Sequence, residues 1–133
     1  MERETHIPIH SSSDVVMARQ NGRAWASGEG FKGADLAVIT SVISEMARNI
    51  VHHARGGEIV LAPAHRGHRQ GISIVAHDEG PGIRDIHRAL DIGFSTRHGL
   101  GVGLPGAKSL MDEFDIRSQI GKGTTVVMRK WLR

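Results

Sequence analysis

Apolar residues recur along this chain at two different periods, and the changes between them mark out the elements. In "THIPIH", Thr5 to His10, apolar and polar positions alternate, which predicts a short strand that Pro8 confines to a sheet edge. Ser11 to Asp14 supplies N-cap candidates for a helical pattern running to about Ser27, with Gly28 and Gly30 as its stop. The strongest helix spans Ala34 to about Ala54. Leu36, Ile39, Ile43, Met46, Ala47 and Ile50 fall at three- and four-residue steps along one stripe. Gly56 and Gly57 follow as its expected glycine stop. "EIVLAPA" (58–64) and "GISIVAHD" (71–78) read as strands, and the polar "HRGHRQ" between them predicts an antiparallel hairpin.

A loop-rich stretch follows Asp78, with a short helix expected at Arg84 to Asp91. Pro105 suits the first turn of a helix ending near Asp112. "FDIRSQIG" and "GTTVVMRKW" close the pattern as a strand pair joined through Gly121, Lys122 and Gly123. The order β, α, α, β, β, loop, α, β, β predicts an α+β fold, a two-layer α/β sandwich. Its sheet is mostly antiparallel, with the helices on one face.

Composition narrows the function classes. The 133 residues are 39% hydrophobic and 23% charged, the make-up of one globular domain, residues 1–133, with a sizeable core. No apolar run approaches the ~18 residues that span a bilayer, and "MERETHIPIH" lacks the build of a signal peptide, so a cytoplasmic chain is expected. The absence of cysteine excludes disulfides and thiolate chemistry. A net charge of +3 raises the question of nucleic acid. The basic residues are scattered, however, and three Phe, two Trp and no Tyr leave little for base stacking. Nine histidines invite a zinc reading, but His52 and His53 are adjacent and His65-x-x-His68 falls in a hairpin turn, so no third ligand converges.

Three stretches carry candidate chemistry. "GVGLPG", Gly101 to Gly106, matches the dinucleotide fingerprint G-x-G-x-x-G but lacks its context. "GFSTRHGL" before it is no buried strand, and residues 121–128 hold no Asp or Glu for a ribose. A Walker A reading fails because Lys108-Ser109 follows Ala107 and not glycine. What remains is Gly99, Gly101 and Gly103 ahead of a helix N-terminus, where backbone N–H groups can meet an anion. "DEGPG", Asp78 to Gly82, puts a carboxylate at the end of a strand, able to accept from an exocyclic amine, with close-approach backbone after it. Glu45 and Asn49, four apart, share a helix face. With Leu36 at zero they fall near ~180° and ~220°, outside an apolar stripe centred near ~320°. Glu suits a base, and Asn suits an oxygen ligand of a hard cation.

Glu45 and Asn49 in "SEMARN", then "DEGPG", then "GFST" and "GLGVGL", then "GTTV", resemble in order and spacing the GHKL or Bergerat-fold ATPases. Within them the chain looks closest to the small bacterial switch kinases of the RsbT type. The resemblance covers essentially all of the chain and implies a mixed, mostly antiparallel sheet backed by three helices. It implies ATP and Mg²⁺ as cofactors. Glu45 is then the catalytic base and Asn49 the Mg²⁺ ligand. Asp78 accepts from the adenine amino group, with Gly80, Gly82 and Thr124 lining the base. Gly99, Leu100, Gly101, Val102 and Gly103 form the ATP-lid hinge at the phosphates. Arg97 and His98 stand where small residues are usual, and Arg97 is a candidate phosphate contact.

The same resemblance implies phosphoryl transfer to Ser or Thr on STAS-domain partners in a stressosome or partner-switching module. The released kinase then activates a downstream effector such as a phosphatase. No nucleic acid or membrane partner is implied. An anti-sigma-factor kinase of the same fold and a noncatalytic, nucleotide-gated docking module are the alternatives. A sensor histidine kinase is not expected, since the 133 residues leave none for a dimerisation helix pair.

Overall fold

In the computed structural model, residues 4–83 and 103–133 are described. Strand β1 (Thr5–Ile9) leads through Ser11 into helix α1 (Ser12–Gly28), and helix α2 (Gly33–His53) follows. Strands β2 (Gly57–Arg66) and β3 (Arg69–Asp78) form the hairpin, longer at both ends than its apolar run. Helix α3 (Gly103–Leu110) precedes strands β4 (Glu113–Gln119) and β5 (Gly123–Trp131). The sheet order is β1-β2-β3-β5-β4. All four pairings are antiparallel, so among the described residues the sheet is not mixed.

Alternation along each strand sends one apolar set to one face. Ile7, Ile59, Ala76, Val126 and Ile116 align in one row across all five strands. Leu61, Ile74, Met128 and Phe114 align in the next. The helices cover this face: α2 lies across β1, β2 and β3, α1 against β1, and α3 against β4. Ile39, Val42, Ile43 and Met46 of α2 are fully buried there. Each such side chain contributes roughly 1.5–3 kcal/mol of transfer free energy. Gly22 lets α1 come close, since a Cβ there would lie 2.4 Å from Ile43 Cδ1. No described helix is long and apolar enough to cross a membrane.

Helix α1 starts within the expected Ser11 to Asp14 stretch, while the C-terminal ends of the three helices depart from the sequence expectations. Asp14 fixes the start of α1 by accepting from the N–H groups of His10 and Ser11, at 2.8 and 3.1 Å. Gly28 is the last helical residue and not a stop; the chain turns at Gly30, where φ is 109°. Helix α2 ends in extended Ala54 and has no left-handed glycine cap. Gly56 and Gly57 serve close packing instead: a Cβ on Gly57 would fall 2.2 Å from the His77 carbonyl oxygen.

Helix α3 ends at Leu110, two residues early, because Asp112 is drawn to β5. Its carboxylate accepts from the Trp131 N–H and from Arg133 Nη2, both at 2.8 Å. Nearby, the buried Lys130 donates from Nζ to the Leu110 carbonyl at 3.2 Å and lies 3.6 Å from Asp35. Burial alone would raise the Asp112 carboxyl, but the Trp131 N–H, Arg133 and Lys130 together hold it below its ordinary value. A depressed carboxylate stabilises the fold above its unfolded value, and that stability is lost as pH falls through the folded one. Asp112→Ala should therefore cost roughly 1–2 kcal/mol at neutral pH. The deficit should shrink below about pH 4 in urea melts taken across pH.

Candidate functional site

Helix α2 carries Glu45 and Asn49 on a face outside its core stripe, yet Glu45 is only 1% exposed. Its Oε1 accepts from Arg48 Nη1 at 3.2 Å, and its Oε2 is shielded from solvent with no partner among the described residues. One turn further on, Asn49 Oδ1 is likewise shielded and unpartnered, as is Ser44 Oγ. Leaving a buried acceptor unpaired costs roughly 1–3 kcal/mol. Two such oxygens four residues apart are therefore a candidate site for donors or a cation. Burial pushes the Glu45 carboxyl above its ordinary value, opposed by Arg48 and more weakly by His52.

The second element is the turn after β3. Asp78 is the last residue of that strand, paired with Gly57 on one side and Thr124 on the other. Its Oδ1 accepts from the Gly80 N–H at 2.8 Å, an Asx turn that fixes the carboxylate over the turn it opens. Gly80 sits against the end of α2, where a Cβ would lie 2.8 Å from Ala54 Cβ and 3.0 Å from the His53 carbonyl oxygen. Asn49 stands ~6 Å along the helix axis from His53, at 1.5 Å per residue.

The third element is the β4–β5 turn, which straps that loop down. Gly121 N–H donates to the Pro81 carbonyl at 2.9 Å, and Ile83 N–H donates to Ser118 Oγ at 2.7 Å. Ser118 Oγ also lies 2.8 Å from Thr124 Oγ1 and donates to the Gly123 carbonyl at 3.1 Å. Two glycines are obligatory here. Gly82 takes φ 81° with a Cβ position 2.5 Å from the Gln119 carbonyl oxygen. Gly123 takes φ 118°, and a Cβ there would fall 2.0 Å from the Asp78 carbonyl oxygen.

Asp78, Gly80, Gly82 and Thr124 are thus gathered into one cluster beside the end of the helix that carries Glu45 and Asn49. Gly103 opens α3 at φ 60° and is buried, and α3 packs on α2. Arg97, Gly99, Leu100, Gly101 and Val102 lie outside the described residues, as does the helix expected at 84–91. Sequence reasoning missed Ser118, which ties the turn to Thr124. Its signal was the register of the closing hairpin, where Ser118 stands directly opposite Thr124. It also missed Arg48, whose signal was the three-residue step from Glu45. His77, next to Asp78, is exposed, with Nδ1 2.7 Å from Thr125 Oγ1.

The donor set also speaks to a cation. Among the described residues no three His, Asp or Glu side chains gather to hold a metal. One unpaired amide oxygen fits instead a hard ion that arrives with most of its ligands, as Mg²⁺ does when carried by phosphates and water.

Among the described residues, an antiparallel sheet is covered on one face by three helices, and the helix that carries the acid–amide pair ends against a glycine-bearing strand end, an arrangement suited to a nucleotide. The chain belongs to the histidine kinase-like ATPase family, whose model matches residues 11–130. Over 133 residues, and all of both chains, it is 46% identical to the serine/threonine-protein kinase RsbT of Bacillus subtilis. It is 33% identical over 104 residues to an anti-sigma F factor of a Thermoanaerobacter species, covering 74% of this chain and 71% of that protein. The fold also matches a crystal structure of the RsbU and RsbW domains of a Mycobacterium tuberculosis protein, with TM-score 0.65 and 25% identity. That match takes in 98% of this chain and 33% of the other.

The raised Glu45 carboxyl has a consequence for the ligand-free protein. A folded pKa above the unfolded one favours the fold below the unfolded value, and this is lost as pH rises through the folded value. Glu45→Gln should therefore melt a few degrees higher than the parent chain at pH 7–8. That advantage should vanish below about pH 4 in thermal melts at a series of pH values.

Proposed function

We propose that this protein is an ATP-dependent serine/threonine kinase whose substrates are STAS-domain partners in a partner-switching module. The observation that carries the proposal is the pair of unpaired oxygens, Glu45 Oε2 and Asn49 Oδ1, one turn apart beside the Asp78 turn. Identity to a serine/threonine kinase over the full chain supports the reaction class. Asp78 accepts from the exocyclic amine of adenine, its orientation set by the Gly80 N–H. Gly80 and Gly82 let the turn pack directly on the end of α2 and on β4, which sets the backbone that lines the flat base in this reading. Thr124 closes the other side, its hydroxyl held by Ser118. Asn49 Oδ1 is the protein's ligand to Mg²⁺, which neutralises charge on the phosphates when bound.

Glu45 Oε2 takes the proton from the acceptor hydroxyl as that oxygen bonds to the γ-phosphorus and the β–γ bridging bond breaks, releasing ADP. A carboxyl raised by burial is a better base for that proton than an exposed one. Gly99, Gly101 and Gly103, with the backbone of Leu100 and Val102, meet the phosphates, and Arg97 adds a contact there. After transfer the freed kinase binds a downstream effector, a phosphatase in this account, in the cytoplasm. A second reading, sequestration of a sigma factor, draws on the 33% identity to an anti-sigma F factor.

Incubation with Mg-ATP and a panel of STAS-domain proteins should yield phosphoserine or phosphothreonine on a partner. Glu45→Gln should lower the transfer rate by roughly 10²–10⁴ while ATP still binds. Asp78→Asn should weaken ATP binding by about ten- to hundredfold in calorimetry. Transfer that survives in Glu45→Gln would overturn the assigned base, and unchanged ATP affinity in Asp78→Asn would overturn the adenine site. A stable complex with a sigma factor would favour the second reading.

A further inference from the structure

We propose that Arg48 is a positioning residue for Glu45, holding one carboxylate oxygen so that the other, Oε2, is presented to the acceptor hydroxyl. The inference rests on Glu45 as the base and names the side chain that orients it.

Helix geometry makes the pairing local, since residues three apart stand on one flank. The two partners differ sharply in environment. The Glu45 side chain is 2% exposed, whereas that of Arg48 is 45% exposed. The carboxylate is fixed inside the site, then, while the guanidinium reaches over it from the rim. Arg48 Nη1 binds Oε1 at 3.2 Å and leaves Oε2 without a partner. A free carboxylate would rotate about its last bond and offer either oxygen. With Oε1 held, a single oxygen is available in a defined direction. Orientation of a base within a few tenths of an ångström governs much of its effectiveness. The same cation opposes the effect of burial and so favours the ionised form that a base needs. His52, the other basic group acting on Glu45, exerts a weaker pull. Arg48 touches neither nucleotide nor acceptor in this scheme; it acts through Glu45.

The test uses the full chain with Mg-ATP and a phosphorylatable STAS partner. Arg48→Ala should lower kcat about 10- to 100-fold with KM for ATP and partner changed by less than about threefold. The acidic limb of its pH–kcat profile should move to higher pH, because Glu45 has lost its nearest cation. Arg48→Lys, which keeps the charge, should restore much of the limb position and part of kcat. In the ligand-free protein at pH 8, Arg48→Ala should lower the melting temperature in the Glu45 background but not in the Glu45→Gln background. Wild-type kcat and an unmoved limb in Arg48→Ala overturn the inference, as does a loss confined to KM for the partner. If Glu45→Gln is inactive while Arg48→Ala is normal, only this inference fails. Activity retained in Glu45→Gln removes the base on which it rests.

Discussion

Burial of one stripe of α2 against one face of the sheet is the interaction from which the rest follows. Ile39, Ile43, Met46 and Ile50 lock the rotation of that helix about its axis, because turning it would drive polar side chains into the core. With the rotation fixed, the flank that bears Glu45 and Asn49 is fixed as well. The packing that stabilises the chain thus aims the two oxygens left unpaired. Their cost, roughly 2–6 kcal/mol together, is offset by a core of more than twenty buried apolar side chains. This arrangement places polar groups on a rigid element, where their geometry is held more closely than a loop would hold it.

The second constraint is how closely the strand ends must pack around Asp78. Gly57 and Gly123 flank it on neighbouring strands, and a side chain at either position would collide with backbone. The turn that follows is tied at Pro81 and Ile83 to the β4–β5 hairpin, so the carboxylate sits on an anchored loop. The hairpin thereby does two things. It extends the sheet, and through Ser118 it couples Thr124 to the Asp78 turn. At the far end of the sheet, Lys130 links the end of α3 to Asp35 in the first turn of α2. Helix α2 is therefore held at its N-terminal end by polar contacts and along its length by apolar ones.

Much of this was legible in the amino-acid order because one-sided burial forces a period on every element. The alternation in "THIPIH" and "GISIVAHD" and the stripe from Leu36 to Ile50 each needed no partner to be read. The spacing of Glu45 and Asn49 was legible for the same reason; the burial of Glu45 was not, since it depends on what lies over the helix in three dimensions. Gly56 and Gly57 were misread because a glycine after a helix serves either a left-handed cap or a close approach, and sequence does not distinguish them. Asp112 was assigned to a helix it leaves because its partners, Trp131 and Arg133, lie about twenty residues away. Ser118 needed the register of its hairpin before its opposite residue could be named.

In the proposed reaction the Asn49 oxygen receives the cation that accompanies ATP. Calorimetric ATP affinities with Mg²⁺ and with a chelator, for the parent chain and for Asn49→Ala, address it directly. Mg²⁺ should tighten ATP binding to the parent chain at least tenfold, and Asn49→Ala should abolish that gain while leaving the Mg²⁺-free affinity within about threefold. A full Mg²⁺ enhancement retained in Asn49→Ala would contradict the account.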